Sequence, residues 1–310
     1  MENYLSIIIP VYNEEENIKI LHEKIKNAVE KISESYEIIY VDDGSKDNSF
    51  NELKLIKDEN TKIIKFSRNF GQTAALQAGI NNSNGKIIVA MDADLQNSPD
   101  DISKLLDKYN QGYDLVSGWR KNRFDNCLRT VPSKIANYII SKITKTGLHD
   151  TGCTLKAYNG DILRKINLFA DHHRFIPAIF AEYSNKIAEL EVTHYPRLHG
   201  KSKYNIFRTF RVILDLIAIS YWKNYKNKPI YFWGSLSLIM LGFAILALIL
   251  LIIGLILKLN LSLCILLTIL FCLFTCNSIL LFAVGLIFEN IIRLNLNQNK
   301  DAYYVVEEIL

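Results

Sequence analysis

No C-x-x-C pair occurs among the five cysteines of this 310-residue chain. Cys264, Cys272 and Cys276 lie inside one apolar run, while Cys127 and Cys153 stand far apart. That spacing argues against a zinc ribbon, a redox motif or a disulfide framework. The adjacent His172-His173 pair reads as loop decoration more readily than as metal ligands. Excess charge is also scarce: the net value is +4. No basic stripe with interleaved aromatics is present, so nucleic acid is not an expected partner. There is no internal repeat and no low-complexity tract. The chain starts on polar residues and enters a strand at once, so no signal peptide is expected.

Charge is missing altogether from two long stretches, Pro229 to Leu257 and Leu259 to Phe288. Each exceeds the roughly 20 residues needed to cross the hydrocarbon core. Only Lys258 separates them, which describes a transmembrane helical hairpin over 229–293, with spans 229–257 and 261–288. Lys223, Lys226 and Lys228 precede the hairpin, and Arg293 and Lys300 follow it. The positive-inside tendency therefore places the globular domain, the 294–310 tail and both termini on the cytoplasmic side of a cell membrane. Gly242, Gly254 and Gly285 are candidates for close helix contact. Ahead of the hairpin, 205–228 forms a juxtamembrane segment. Within it Asn205 to Trp222 has the amphipathic pattern of a helix that packs on the domain or lies in the membrane interface, and its position favours the interface.

The first 204 residues read as one α/β domain. Apolar runs Leu5–Pro10, Glu37–Val41, Lys62–Phe66 and Ile87–Met91 alternate with helical patterns at Asn17–Ile32, Ser49–Ile56 and Thr73–Asn81. Pro99 is placed to open a further helix in its first turn, with Ser98 as its cap. Asp114–Ser117, Cys153–Tyr158 and Ile187–His194 read as later strands, and Val131–Ile143 as a helix. Such alternation predicts a Rossmann-like, mostly parallel sheet covered on both faces. Ligands of such sheets bind beyond the carboxyl ends of the strands. Four polar clusters fall there: Asn13-Glu14, Asp42-Asp43-Gly44-Ser45, Arg68-Asn69 and Asp92-Ala93-Asp94. Two carboxylates one residue apart at the end of a buried strand can hold a magnesium- or manganese-type cation, which prefers oxygen ligands and bridges phosphates.

The ordered set Ile9-Pro10-Val11-Tyr12-Asn13-Glu14, Val41-Asp42-Asp43-Gly44-Ser45 and Asp92-Ala93-Asp94-Leu95-Gln96 resembles the nucleotide-sugar site of glycosyltransferase family 2. Gly118-Trp119-Arg120, Arg129 with Ser133, and the segment His194 to Tyr204 narrow the likeness. With the two terminal spans, the chain resembles the polyprenyl-phosphate glycosyltransferases, relatives of dolichyl-phosphate mannose synthase. The resemblance covers essentially the whole chain and implies a GT-A fold. It also implies roles. Pro10, Tyr12, Glu14 and Asp43 match the nucleoside pocket, and Asp92, Asp94 and Gln96 match the metal site for Mg2+ or Mn2+. Arg197, Lys201 and Lys203 match groups over the donor phosphates. Arg120, Arg129 and Ser133 match the acceptor-phosphate site, and Asp94 is counted with the catalytic set.

The implied reaction is inverting transfer of a sugar from a nucleoside diphosphate sugar, preferably a UDP-sugar, to a polyprenyl phosphate in the bilayer. Three alternatives stand beside it. A transferase extending an already glycosylated envelope lipid would share these motifs. A processive polysaccharide synthase would carry a Q-x-x-R-W element, which this sequence lacks. A non-catalytic membrane scaffold would not need Asp92, Asp94 and Gln96 together. Asp150 is open between an acid/base role and a supporting one, and a homo-oligomer is compatible with two spans per chain.

Overall fold

The structure is a computed structural model that describes residues 4–32, 35–121, 147–168, 172–196, 217–218, 220–222, 224–225 and 228–299. The chain divides into two compact units, Met1–Val212 and Ile213–Leu310.

The first unit is built on a seven-stranded sheet. Its strands are β1 (Leu5–Val11), β2 (Tyr36–Asp42), β3 (Thr61–Lys65), β4 (Ile87–Ala90), β5 (Leu115–Trp119), β6 (Lys156–Asn159) and β7 (Ile187–Glu191), in the spatial order β3-β2-β1-β4-β6-β5-β7. Neighbours from β3 to β4 are parallel, β5 and β7 are parallel, and β6 runs against both its neighbours. The helices α1 (Ile18–Val29), α2 (Ser49–Leu55), α3 (Gln72–Asn81) and α4 (Asp101–Tyr109) fill the crossovers between the first five strands.

Strand alternation divides the core into two layers. Ile7 and Ile9 of β1 join Ile38 and Tyr40 of β2 and the apolar stripes of α1 and α4, among them Leu21, Ile25, Ile102 and Leu105. Ile8 points the other way, onto Leu76 and Ile80 of α3. Both faces of the sheet are therefore buried, which is why the strands read as unbroken apolar runs.

Several boundaries differ from the sequence expectation: α1 ends at Val29 rather than Ile32, and β7 at Glu191 rather than His194. The strand expected at Cys153–Tyr158 begins only at Lys156, because residues 151–154 form the turn leading into it. Pro99 does not open α4; the helix starts at Asp101, and Ser98 is not its cap. Pro99 and Asp100 instead form a turn after Asn97, which is bridged to His194. Val131–Ile143 lies outside the described residues, as does nearly all of Asn205–Trp222.

In the second unit, helices Pro229–Ile256 and Leu261–Asn299 form an antiparallel hairpin. Both are long and apolar enough to cross a membrane. The turn places Lys258 in the left-handed region (φ 52°). Ser237 and Ser278 lock the helices together reciprocally. Each hydroxyl donates to the other residue's carbonyl, at 2.8 and 2.9 Å, where no water competes. Gly285 lies against Ile230 and Trp233, and a β-carbon there would come within 3.0 Å of both. Gly242, by contrast, has nothing within 4 Å on its open side and makes no close helix contact.

At the amino end of β2, the buried Glu37 carboxylate ties three segments together. It accepts from Ser6 Oγ and the Asn84 amide at 2.7 Å each, and pairs with Lys62 at 2.7 Å. Burial alone would raise its pKa, but these partners outweigh that and hold it below the ordinary carboxylate value. Such a group stabilises the fold above its unfolded pKa, near 4.3, and that contribution is lost as pH falls through the lower folded value. Glu37→Gln is expected to cost about 1–3 kcal/mol at pH 7. In denaturant titrations of detergent-solubilised protein, the gap should close progressively below about pH 4.

Candidate active site

Four parallel strands end at one edge. Register pairs Val11 with Asp42 and Asp42 with Lys65, and Ile8 with Ala90. The segments after β1, β2, β3 and β4 consequently emerge side by side, bringing the four polar clusters to one rim.

The rim loops are laced to one another. The Asn13 amide donates to Ser45 Oγ at 3.0 Å, and the Lys46 amide donates back to Asn13 Oδ1 at 2.8 Å. The Glu14 amide donates to Ser49 Oγ at 2.9 Å, while Asn17 Nδ2 donates to Glu14 Oε2 at 2.6 Å. Asn13 takes a left-handed backbone (φ 56°) to make this exchange. Gly44 (φ +67°) passes so close to the next loop that a β-carbon would sit 2.4 Å from the Arg68 backbone. Asp43 is buried and faces the same loop. Its carboxylate accepts from Asn69 Nδ2 at 2.9 Å and from the amides of Phe70 and Gly71 at 2.6 and 2.9 Å. It thereby neutralises the amino end of α3. Burial still holds the Asp43 carboxyl above its usual range.

Asp92 and Asp94 follow β4. Asp92 Oδ1 accepts from Gln72 Nε2 at 2.7 Å. Asp92 shares a narrow cleft with Pro10, Gln72, Thr154, Lys156 and His173. Burial first, and the Asp94 charge second, push its carboxyl up to about 6. Asp94 is buried, and the turn behind it puts Leu95 in the left-handed region (φ 59°). The Gln96 amide donates to Asp94 Oδ1 at 3.2 Å, and the Gln96 carbonyl accepts from the Tyr195 amide at 2.8 Å. The segment after β7 is thus pinned against the D-x-D loop.

Two neighbouring acids are what a divalent cation can bridge. Among the described residues no three His, Cys, Asp or Glu side chains converge as a closed metal set. A two-carboxylate site of this kind suits a magnesium-type ion that takes its other ligands from phosphate and water. His172 and His173 lie in a single 3-10 turn, where His173 Nδ1 is bonded to Thr73 Oγ1 at 2.7 Å.

Arg120, at the end of β5, meets Asp150 in a two-pronged pair: Nε to Oδ2 at 2.7 Å and Nη2 to Oδ1 at 3.0 Å. Burial would lower the guanidinium pKa, but Asp150 outweighs it and keeps the group charged. The Asp150 amide donates to Glu189 Oε1, and Trp119 stacks on His149 with ring centres 4.7 Å apart. Arg129, Ser133, Arg197, Lys201 and Lys203 lie outside the described residues. Sequence reasoning missed Gln72, Thr154, Lys156 and His173. Only Lys156 left a signal, as the lone charge within the apolar run Leu155–Tyr158.

Residues 6–167 match the family described as Glycosyl transferase family 2. The chain is 40% identical over 312 residues to the dodecaprenyl-phosphate galacturonate synthase of Rhizobium johnstonii, covering 98% of this chain and 92% of that one. It is 32% identical over 313 residues to the undecaprenyl-phosphate 4-deoxy-4-formamido-L-arabinose transferase of Aeromonas hydrophila, covering 99% and 94%. Among solved structures, it is similar to glucosyl-3-phosphoglycerate synthase from Mycobacterium tuberculosis in complex with Mn2+, UDP and phosphoglyceric acid. The TM-score is 0.55 at 16% identity, over 70% of this chain and 78% of that one. At that identity the likeness concerns the fold, which is the GT-A arrangement.

A carboxyl raised in the folded state destabilises the fold progressively as pH climbs from its unfolded value, near 3.9, and in full above its folded value of about 6. Asp92→Asn should therefore stabilise the metal-free protein by about 1–3 kcal/mol at pH 8 and by little at about pH 3.5. Thermal melts at the two values check this, and Mn2+ should narrow the difference at pH 8 by stabilising only the parent.

Proposed function

We propose that this chain, which belongs to glycosyl transferase family 2, moves a glycosyl group from a nucleoside diphosphate sugar to a polyprenyl phosphate at the membrane surface. The observation that carries this reading is the pairing of Asp92 and Asp94 at the carboxyl edge of the sheet, in a chain that also bears a membrane-length hairpin. The whole-length similarity to two relatives named for polyprenyl-phosphate substrates supports the acceptor. A UDP-sugar is the preferred donor.

Asp92, Asp94 and Gln96 would hold a Mg2+ or Mn2+ ion, which would supply charge neutralisation for the departing nucleoside diphosphate. Pro10, Tyr12 and Glu14 would form the nucleoside side of the pocket. Asp43 would act there chiefly by fixing the 69–71 loop, since both its oxygens are engaged by that loop. Arg197, Lys201 and Lys203 would contact donor phosphates. Arg120, with Arg129 and Ser133, would hold the acceptor phosphate. Asp150 then orients the Arg120 fork rather than moving a proton.

The acceptor itself removes the need for a strong general base. A phosphate monoester has its second pKa near 6, so the attacking oxygen is already mostly anionic at neutral pH. Alignment and charge neutralisation can carry an inverting, single-displacement reaction. The hairpin holds the enzyme where the isoprenoid tail must stay, raising the local acceptor concentration. The positive-inside pattern supports a cytoplasmic catalytic unit.

Purified protein given polyprenyl phosphate and a panel of UDP- and GDP-sugars should yield a lipid-linked sugar only with a divalent cation present. Asp94→Ala should lower transfer by about 100-fold or more while leaving the protein folded and in the membrane. Undiminished transfer in that variant, or in the presence of chelator, would sink the metal-site assignment. Truncation after Lys228 should reduce transfer to vesicle-embedded acceptor far more than it weakens UDP binding. An equal loss of both would show that the hairpin serves folding instead.

A further inference from the structure

We propose that Lys156 is a positioning residue that keeps Arg120 and Asp92 in working alignment through the turn 150–154; the inference rests on the donor and acceptor sites assigned above. Lys156 is 2% exposed at the start of β6, and register sets it beside Ala90, two residues before Asp92. Lysine is almost never fully buried unless its charge is paired. Yet among the described residues this ammonium has no carboxylate partner within ion-pair distance. It donates instead to two backbone carbonyls, those of Thr151 (3.2 Å) and Cys153.

Those carbonyls belong to one tight turn with a functional group at each end. At its start, Asp150 grips Arg120 through both carboxylate oxygens. That uses two of the five guanidinium donors and leaves others for a phosphate oxygen. At its end, Thr154 lines the same narrow cleft as Asp92 and accepts from Asn97 Nδ2 at 3.2 Å. A single amine thus draws the middle of the turn inward, and its two ends reach an arginine and the cleft of the first D-x-D carboxylate. An apolar residue would suit a buried strand position better on stability grounds alone. What the charge supplies is geometry: convergence of carbonyls that would otherwise repel one another.

The test uses the full chain in lipid vesicles. Lys156→Met keeps length and apolar bulk but removes the donors. Expected results are an intact thermal midpoint, a fall of about 30–100-fold in kcat/KM for polyprenyl phosphate, and a smaller loss, about 3–10-fold, in Mn2+-dependent UDP binding. Adding Asp150→Asn to that variant should cost no more than about 3-fold further in transfer, because both changes act through one turn. Parent-like transfer or fully additive losses would each overturn the proposal. If Lys156→Met does not fold, a cycle of Asp150→Asn with Thr154→Val replaces it, where non-additive losses support a shared turn and additive losses overturn it. Parent protein that binds UDP with Mn2+ but transfers nothing to polyprenyl phosphate overturns the acceptor reading itself, and this inference with it.

Discussion

The enclosure of Asp92 beside a second acid, Asp94, is the constraint around which the catalytic unit is arranged. Burial and the Asp94 charge disfavour ionisation of Asp92, as its raised pKa of about 6 shows. A chain selected only for folding would not keep two acids there, since glycine and serine make the same turn. The surroundings hold the pair in place. Gln72 bonds Asp92, the Gln96 amide bonds Asp94, and Tyr195 pins the loop from outside.

The reversed strand β6 is the second device. If the sheet continued parallel beyond β4, the next strand would enter from the far edge and bring only its own carboxyl end to the rim. Because β6 runs against β4, its amino end arrives at the rim instead, together with the turn that precedes it. That turn delivers Asp150 to Arg120 and Thr154 to the cleft of Asp92. One antiparallel strand therefore connects an arginine at the end of β5 with the acids after β4. Both lie on the same edge, separated by one strand's width.

Much of this was legible beforehand, for physical reasons that also mark where legibility stopped. Strands buried on both faces show themselves as short apolar runs, so β1 to β4 were found to within about a residue. The edge rule for parallel sheets then grouped Glu14, Asp43, Asp92 and Asp94 without any coordinates. Partners were not legible. Nothing in local sequence says that Asp43 caps α3 or that Asp150 pairs with Arg120 across 30 positions. Gln72 and Thr154 are ordinary polar residues until the fold sets them against Asp92. The Pro99 boundary failed because Asn97 is claimed by His194, a long-range pairing that overrides a local signal.

The hairpin raises a related question, which is why two helices need specific locking when lipid can solvate each alone. Between apolar helices in a bilayer there is no hydrophobic drive, since lipid tails are as apolar as leucine. Association must come from close packing and polar bonds. Ser237 and Ser278 exchange hydroxyl-to-carbonyl bonds one turn above Trp233, and Gly285 lets Ile230 and Trp233 approach at the base of the hairpin. Trp233 stacks on Phe288 with nearly parallel rings (7°), and its indole N–H donates to the Tyr221 hydroxyl at 3.2 Å. Amphipathic aromatics of this kind settle at the level of the headgroups. The serine exchange and the aromatic base together fix the register of one helix against the other, which lipid-like surroundings alone would leave free to slide.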